Sequence, residues 1–184
     1  MSHLLDGIAS GAPAPASGSA AAAVVATAAA LVEKAATLST TQWPDAAPAL
    51  EQAHALRLHS EELIEHDVHA YLGFVEALRM AKGLRGAARE QVVGPARART
   101  VDVPLEIVRS AAKVAVLAAR LADLGNPNLR ADAVVAAILA AAGAESALTL
   151  VAVNLSDTVD DLRLEEARHL ARQASESARS VRDL

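Results

Sequence analysis

The sequence predicts an all-α protein: a single-domain, multi-helix bundle spanning residues 1–184, with long alanine-rich core helices and a dimer-forming surface. Three observations predict it. The chain is 53% apolar but only 2% aromatic, and alanine supplies much of the apolar count, so the core has to be filled by bringing helix backbones close together. β-Branched residues are scattered among helix formers and do not alternate with polar ones, which leaves few strand signals. Proline and glycine gather at a few positions and cut the chain into segments of helical length.

Taken in order, residues 1–10 form a short amphipathic helix through Leu4, Leu5 and Ile8, which Gly11-Ala12-Pro13-Ala14-Pro15 cannot continue. That stretch and Ala16-Ser17-Gly18-Ser19 feed a helix expected over residues 20–38, capped by Ser17 or Ser19 and buried around nearly its whole circumference. Trp43-Pro44-Asp45 restarts the chain, and helix formers then continue to Met80, which predicts the longest helix over residues 44–80. Lys82-Gly83-Leu84-Arg85-Gly86 and Gly94-Pro95 interrupt again, predicting a mobile basic cover between Met80 and Thr100. Val101-Asp102-Val103-Pro104-Leu105 opens the next helix, with Pro104 near its first position, and Gly125 is its C′ stop. Pro127 forces Asn126 out of the helical region, so Asn128 is the expected N-cap of the next helix, with Asp132 in its first turn and residues 133–155 as the second deeply buried stretch. After Ser156 a last helix carries Leu164, Ala167, Ala171, Ala174, Ala178 and Val181 at coiled-coil spacing, a stripe that asks for a partner helix, with a second subunit as one source.

Several function classes are excluded. A net charge of −5 with arginines interleaved among Asp and Glu gives no basic field for nucleic acid. Without cysteine there is no disulfide framework, thiolate nucleophile or cysteine metal site. The uncharged stretch from residue 7 to 32 follows Asp6 and is interrupted by prolines, unlike a signal peptide. The run over residues 133–156 contains Gly143 and Glu145 and is mostly alanine, which favours a buried helix over a membrane span. A cytoplasmic protein is the simplest reading.

Two carboxylates stand out as candidates for chemistry. Asp67 falls on the apolar stripe of the long helix between Ile64 and Tyr71, where an acid needs a structural cation or lines a pocket. Asp132 falls in a first helical turn, where it either supports the helix start or serves a site. Gly18 lets backbone N–H groups approach an anion or carbonyl closely, although a plain helix start reads the same way. His59, Glu62, His66 and His69 share one helix face. A di-metal site would need matching Glu-x-x-His pairs, and Glu166 with His169 is the one other pair. A solvated or interfacial face is therefore expected, with no metal.

Pro15 to Ala22, Asp67 with Ala70-Tyr71, Val101-Asp102-Val103-Pro104-Leu105, Gly125-Asn126-Pro127-Asn128 with Asp132-Ala133, and Val153-Asn154-Leu155 occur in an order that resembles one family. The chain resembles the cyclodeaminase/cyclohydrolase family, the domain at the C-terminus of formiminotransferase-cyclodeaminase and of free-standing bacterial methenyltetrahydrofolate cyclohydrolases. The resemblance implies an all-α homodimer that acts on a tetrahydrofolate derivative as substrate, with no other cofactor. It implies Asp132 and Asp67 as catalytic candidates and Gly18, Ser19, Asn126 and Asn128 as folate contacts, with Lys82 as a contact for the folate tail or an acid group. The implied reactions are hydrolysis of the 5,10-methenyl compound to 10-formyltetrahydrofolate or cyclisation of the 5-formimino compound with release of ammonia. Ala16, Ser17, Ala131, Val134 and Leu150 depart from the family's glycines, serine, glycine and asparagine. Those departures keep a second reading open, a non-catalytic or non-folate binding or scaffold protein with the family fold.

Overall fold

Small side chains set the spacing of this bundle. A Cβ built on Gly143 would lie 2.6 Å from Val25 Cγ2, so two core helices meet where one of them has no side chain at all. The computed structural model describes residues 2–155 and 161–182. It comprises α1 (Ser2–Ile8), α2 (Ser17–Thr37), α3 (Ala46–Met80), α4 (Gly86–Leu124), a 3-10 turn (Pro127–Leu129), α5 (Arg130–Asn154) and α6 (Leu162–Ser180). Among the described residues there is no strand.

The all-α reading holds, while several boundaries and roles differ from the sequence expectation. α4, at 39 residues, exceeds the 35 of α3, because it runs unbroken through Gly94, Pro95 and Pro104. Residues 86–100 are thus helical and not a loose cover. Gln91 and Pro95 are both exposed, so the carbonyl that loses its helical donor there lies at the solvent-facing side of the helix. Pro104 is buried, and the Thr100 carbonyl that it leaves without a helical donor is claimed by the Asn154 side chain. The break between α3 and α4 lies instead at Gly83 and Gly86, whose φ angles of +89° and +56° turn the chain through the left-handed region.

The half of α4 from Val101 onward packs against α2, α3, α5 and α6 and is buried more thoroughly than either helix expected to be the most hidden. α2 leaves Thr27, Ala30 and Lys34 in solvent, and α5 leaves Val135 and Val153 exposed. Both α2 and the segment Pro127–Asn154 are long and apolar enough to cross a membrane by length and composition alone, as core helices of soluble proteins also are. The stripe of α6 expected to seek another subunit is satisfied within the chain: Ala167, Ala171, Ala174 and Ala178 are buried against α4 and α5.

α2 runs antiparallel to both α3 and α5. Ser19 meets Asp67 while Glu33 meets Arg57, and Gly143 faces Val25 while Lys34 meets Asp132. The bundle therefore has two ends of different character. At one, the start of α2 faces the middle of α3, residues 100–104 of α4 and the last turn of α5. At the other, the end of α2 faces the turn between α4 and α5.

Candidate active site

At the first end lies a cavity of about 250 Å3, lined by Pro13, Ala14, Ala16, Ser17 and Gly18 at the entry to α2, by Asp67, Ala70, Tyr71 and Phe74 on α3, by Thr100 and Pro104 on α4, and by Leu150 and Asn154 on α5. A second, larger and more open depression of about 450 Å3 between α1 and α3 carries His3, Glu61 and Glu65, all exposed.

The cavity is arranged around Asp67. Its carboxylate accepts the Ser19 hydroxyl at 2.8 Å, and Ser19, fully buried, also approaches the Ile64 carbonyl at 3.3 Å. Burial raises the Asp67 carboxyl above its ordinary value, and the Ser19 hydroxyl and backbone N–H oppose that rise only in part. Gly18 is what permits the approach, since a Cβ there would overlap the Asp67 carboxyl group. No side chain caps α2, and Ala16 holds the N-cap position. The expectation that Ser17 or Ser19 caps this helix is thus replaced by a different arrangement, in which Asp67 from α3 takes the place of a cap at the positive end of α2. Gly18, Ser19 and Asp67 are brought together as the motif reading anticipated.

Asn126, Asn128 and Asp132 are not part of that group. They lie at the far end of the bundle, and Asp132 is 18 residues before Leu150 on α5, roughly 27 Å at 1.5 Å per residue. Asp132 Oδ2 accepts from Lys34 Nζ at 2.8 Å, with both side chains substantially exposed. Asn126, not Asn128, does the capping. Its Oδ1 accepts the Asn128 N–H at 3.0 Å, its Nδ2 donates to the Leu38 carbonyl, and its own N–H donates to Ser39 Oγ. Gly125 has an ordinary negative φ of −82°, so it does not serve as a left-handed stop. Its reason is space, because a Cβ would meet the Leu121 carbonyl and Ser39 Oγ. The Gly-Asn-Pro-Asn stretch is a clasp that fastens the α4–α5 turn to the end of α2.

Lys82 is exposed in the link after α3 and does not line the cavity. His59 stands near Glu62 and Glu106 at 4.0 and 3.9 Å, and Glu166 is held by a two-pronged bond from Arg109. Among the described residues no three His, Asp or Glu side chains are grouped as metal ligands would be.

The sequence reading did not single out Thr100, Pro104 or Asn154 as site residues. Asn154 Nδ2 donates to the Thr100 carbonyl, which has no helical donor because the residue four later is Pro104. An interior proline in one helix and a lone asparagine in another, alanine-rich one were the available signal. Their pairing across 54 positions was not.

The sequence profile of the family described as Formiminotransferase-cyclodeaminase matches residues 1–173. The methenyltetrahydrofolate cyclohydrolase of Methylorubrum extorquens is 36% identical over 172 residues, covering 89% of this chain and 82% of that protein. The crystal structure of formiminotetrahydrofolate cyclodeaminase from Thermotoga maritima superposes with a TM-score of 0.86 at 24% identity, covering 98% of this chain and 92% of that one, a likeness of fold. With its profile matched over nearly the whole length and a relative of this similarity, the chain belongs to the formiminotransferase-cyclodeaminase family.

Proposed function

We propose that this protein is a one-carbon folate enzyme that hydrolyses 5,10-methenyltetrahydrofolate to 10-formyltetrahydrofolate, with Asp67 as its proton-transfer group and no cofactor besides the folate substrate. The observation that carries the reading is the Asp67 carboxyl, partly buried at the start of α2 and lining an open cavity, in a chain 36% identical to a methenyltetrahydrofolate cyclohydrolase.

The substrate carries a cationic amidine carbon between N5 and N10. An ionised Asp67 offsets that charge and accepts a proton as water adds to the carbon. The neutral adduct opens when the hydroxyl oxygen forms the new carbonyl and the bond from carbon to N5 breaks. The protonated Asp67 returns its proton to N5, and the hydroxyl proton leaves to solvent, so one proton is released per turnover. A carboxyl whose burial raises its pKa suits both halves of that exchange better than an exposed one. The apolar Leu150, Tyr71 and Phe74 walls suit a flat ring, and the free N–H groups at the α2 N-terminus favour an anionic carboxyl or developing oxyanion.

The cavity is small for a whole folate, so the aminobenzoyl-glutamate tail extends past Tyr71, which is half-exposed at the rim. A homodimer is part of the same proposal, supported by Tyr71, Leu72, Val75 and Met80, which are 42–64% exposed along the outer part of α3. Light scattering at micromolar concentration tests it, and a monomer mass defeats it. The activity is tested by following the loss of near-ultraviolet absorbance of methenyltetrahydrofolate. Turnover supports the cyclohydrolase; turnover of the formimino compound alone, with ammonia release, selects the cyclodeaminase reaction; no turnover of either moves the protein to the binding or scaffold reading.

A further inference from the structure

The pairing of Asn154 with Thr100 does more than satisfy a carbonyl. A carbonyl oxygen only accepts, so the amino end of the Asn154 carboxamide has to face Thr100, and Oδ1 has to face the other way. Thr100 offers no alternative, since its hydroxyl already donates to the Arg97 carbonyl. Asn154 Oδ1 has no hydrogen-bond partner among the described residues, and none of their buried side-chain oxygens or nitrogens lacks one, so Oδ1 is open to solvent. Asn154 lines the cavity that holds Asp67, with apolar Leu150 one turn before it on α5. The result is an acceptor held in one orientation at the cavity wall, its aim set by a proline on a different helix.

We propose that Asn154 orients the substrate: its Oδ1 accepts a hydrogen bond from a ring N–H or amino group of a bicyclic heterocycle, and Pro104 and Thr100 are the positioning residues that aim it. This deepens the folate reading and rests on it. The bond to Thr100 turns Nδ2 away from Oδ1, so a ligand that offers a carbonyl at Oδ1 meets another acceptor and is rejected, whereas an N–H is accepted. The choice between the two faces of the ring head is thereby made on α5, while Asp67 on α3 handles the proton.

The test compares wild type, Asn154→Leu, Pro104→Ala and the double variant by methenyltetrahydrofolate kinetics and by thermal melting. Asn154→Leu keeps the branched heavy-atom shape and removes the acceptor. Its KM should rise by about tenfold or more, with kcat changed less. Pro104→Ala gives Thr100 a helical donor and releases Asn154. Its KM should rise by several-fold, while the melting temperature holds or increases, since alanine suits a helix interior better than proline. The double variant should be no worse than Asn154→Leu alone, because both changes act through one side chain. An unchanged KM in either single variant, or KM effects that multiply in the double, overturns the proposal. If Asn154→Leu does not fold, Pro104→Ala decides alone: a raised KM at an undiminished melting temperature supports the aiming, and an unchanged KM refutes it. A wild type that neither hydrolyses methenyltetrahydrofolate nor binds tetrahydrofolate removes the folate reading and this inference with it. An active wild type with unaffected variants removes only the inference.

Discussion

Gly18→Ala puts the relation between α2 and Asp67 to a test whose sign is opposite to the usual one. In a helix interior, replacing glycine by alanine normally stabilises by roughly 0.5–1 kcal/mol. Gly73, exposed inside α3 with nothing within 4 Å of an added Cβ, should behave in that way. At Gly18 the same methyl group would meet Oδ1, Cγ and Oδ2 of Asp67 all within 3.0 Å. The carboxyl has to swing out, giving up the Ser19 hydroxyl and the start of α2. Overpacking of this kind costs about 1–3 kcal/mol, and the propensity gain returns at most about 1 kcal/mol, so the net loss is about 0–2 kcal/mol. At roughly 2–4 °C per kcal/mol for a chain of this size, Gly18→Ala should melt up to about 8 °C below wild type, while Gly73→Ala should melt slightly above it. Activity is the sharper readout. Displacing a proton-transfer group by about an ångström costs on the order of 100-fold in turnover, so Gly18→Ala should be nearly inactive toward methenyltetrahydrofolate and Gly73→Ala should not be. If Gly18→Ala gains stability as Gly73→Ala does and keeps its kcat/KM, Asp67 is not held against α2 and its placement in the mechanism fails.

Asp67→Asn gives a complementary result. Burial raises the folded-state pKa of this carboxyl, so the native protein holds the proton more tightly than the unfolded chain, and the associated stability is present at low pH and lost as pH rises through the raised value. At neutral pH the amide should therefore hold or raise the melting temperature while lowering kcat by on the order of 100-fold or more. Wild-type kcat/KM should climb with pH along a limb centred above the ordinary carboxylate range; a limb at an ordinary carboxylate value, or an active Asp67→Asn, counts against the assignment. Asp132→Asn loses an exposed pair with Lys34, worth less than about 1 kcal/mol, and should leave turnover nearly intact. A large loss of activity at an unchanged melting temperature would instead mean that a second copy carries Asp132 to the site. Asn126→Ala removes a cap and a bond to the Leu38 carbonyl, and should cost about 1–3 kcal/mol in urea unfolding with little change in KM.

The helices were legible because their breakers are local. Pro13 and Pro15, Trp43-Pro44, Gly83 with Gly86, and Gly125 to Pro127 all mark real boundaries, and each acts through its own backbone or that of its neighbours. The unbroken passage of α4 through Pro104 was not legible, because the residue that accepts the consequence, Asn154, is 50 positions later and on another helix. The same limit applies to burial. The small residues of α2, α4 and α5 look alike in sequence, and only the packing of α4 among four helices decides that its second half is the most hidden.

The site was legible in part for a related reason. Asn126, Asn128 and Asp132 attract attention because polar groups and a carboxylate gather at a turn, but a turn that must be fastened to a neighbouring helix needs polar groups as much as a binding site does. What separates the two uses is where the hydrogen bonds end. Asn126 uses both ends of its carboxamide within the chain, on Asn128 and Leu38, away from the cavity. Asn154 uses only its donor end, and Asp67 accepts only from Ser19; each lines the same cavity with capacity to spare. In this bundle, hydrogen-bonding capacity facing the cavity sets Asp67 and Asn154 apart from Asn126. It picks out one carboxyl on α3 and one carboxamide on α5, and it leaves the Gly-Asn-Pro-Asn turn to hold α2, α4 and α5 in the register that brings those two groups together.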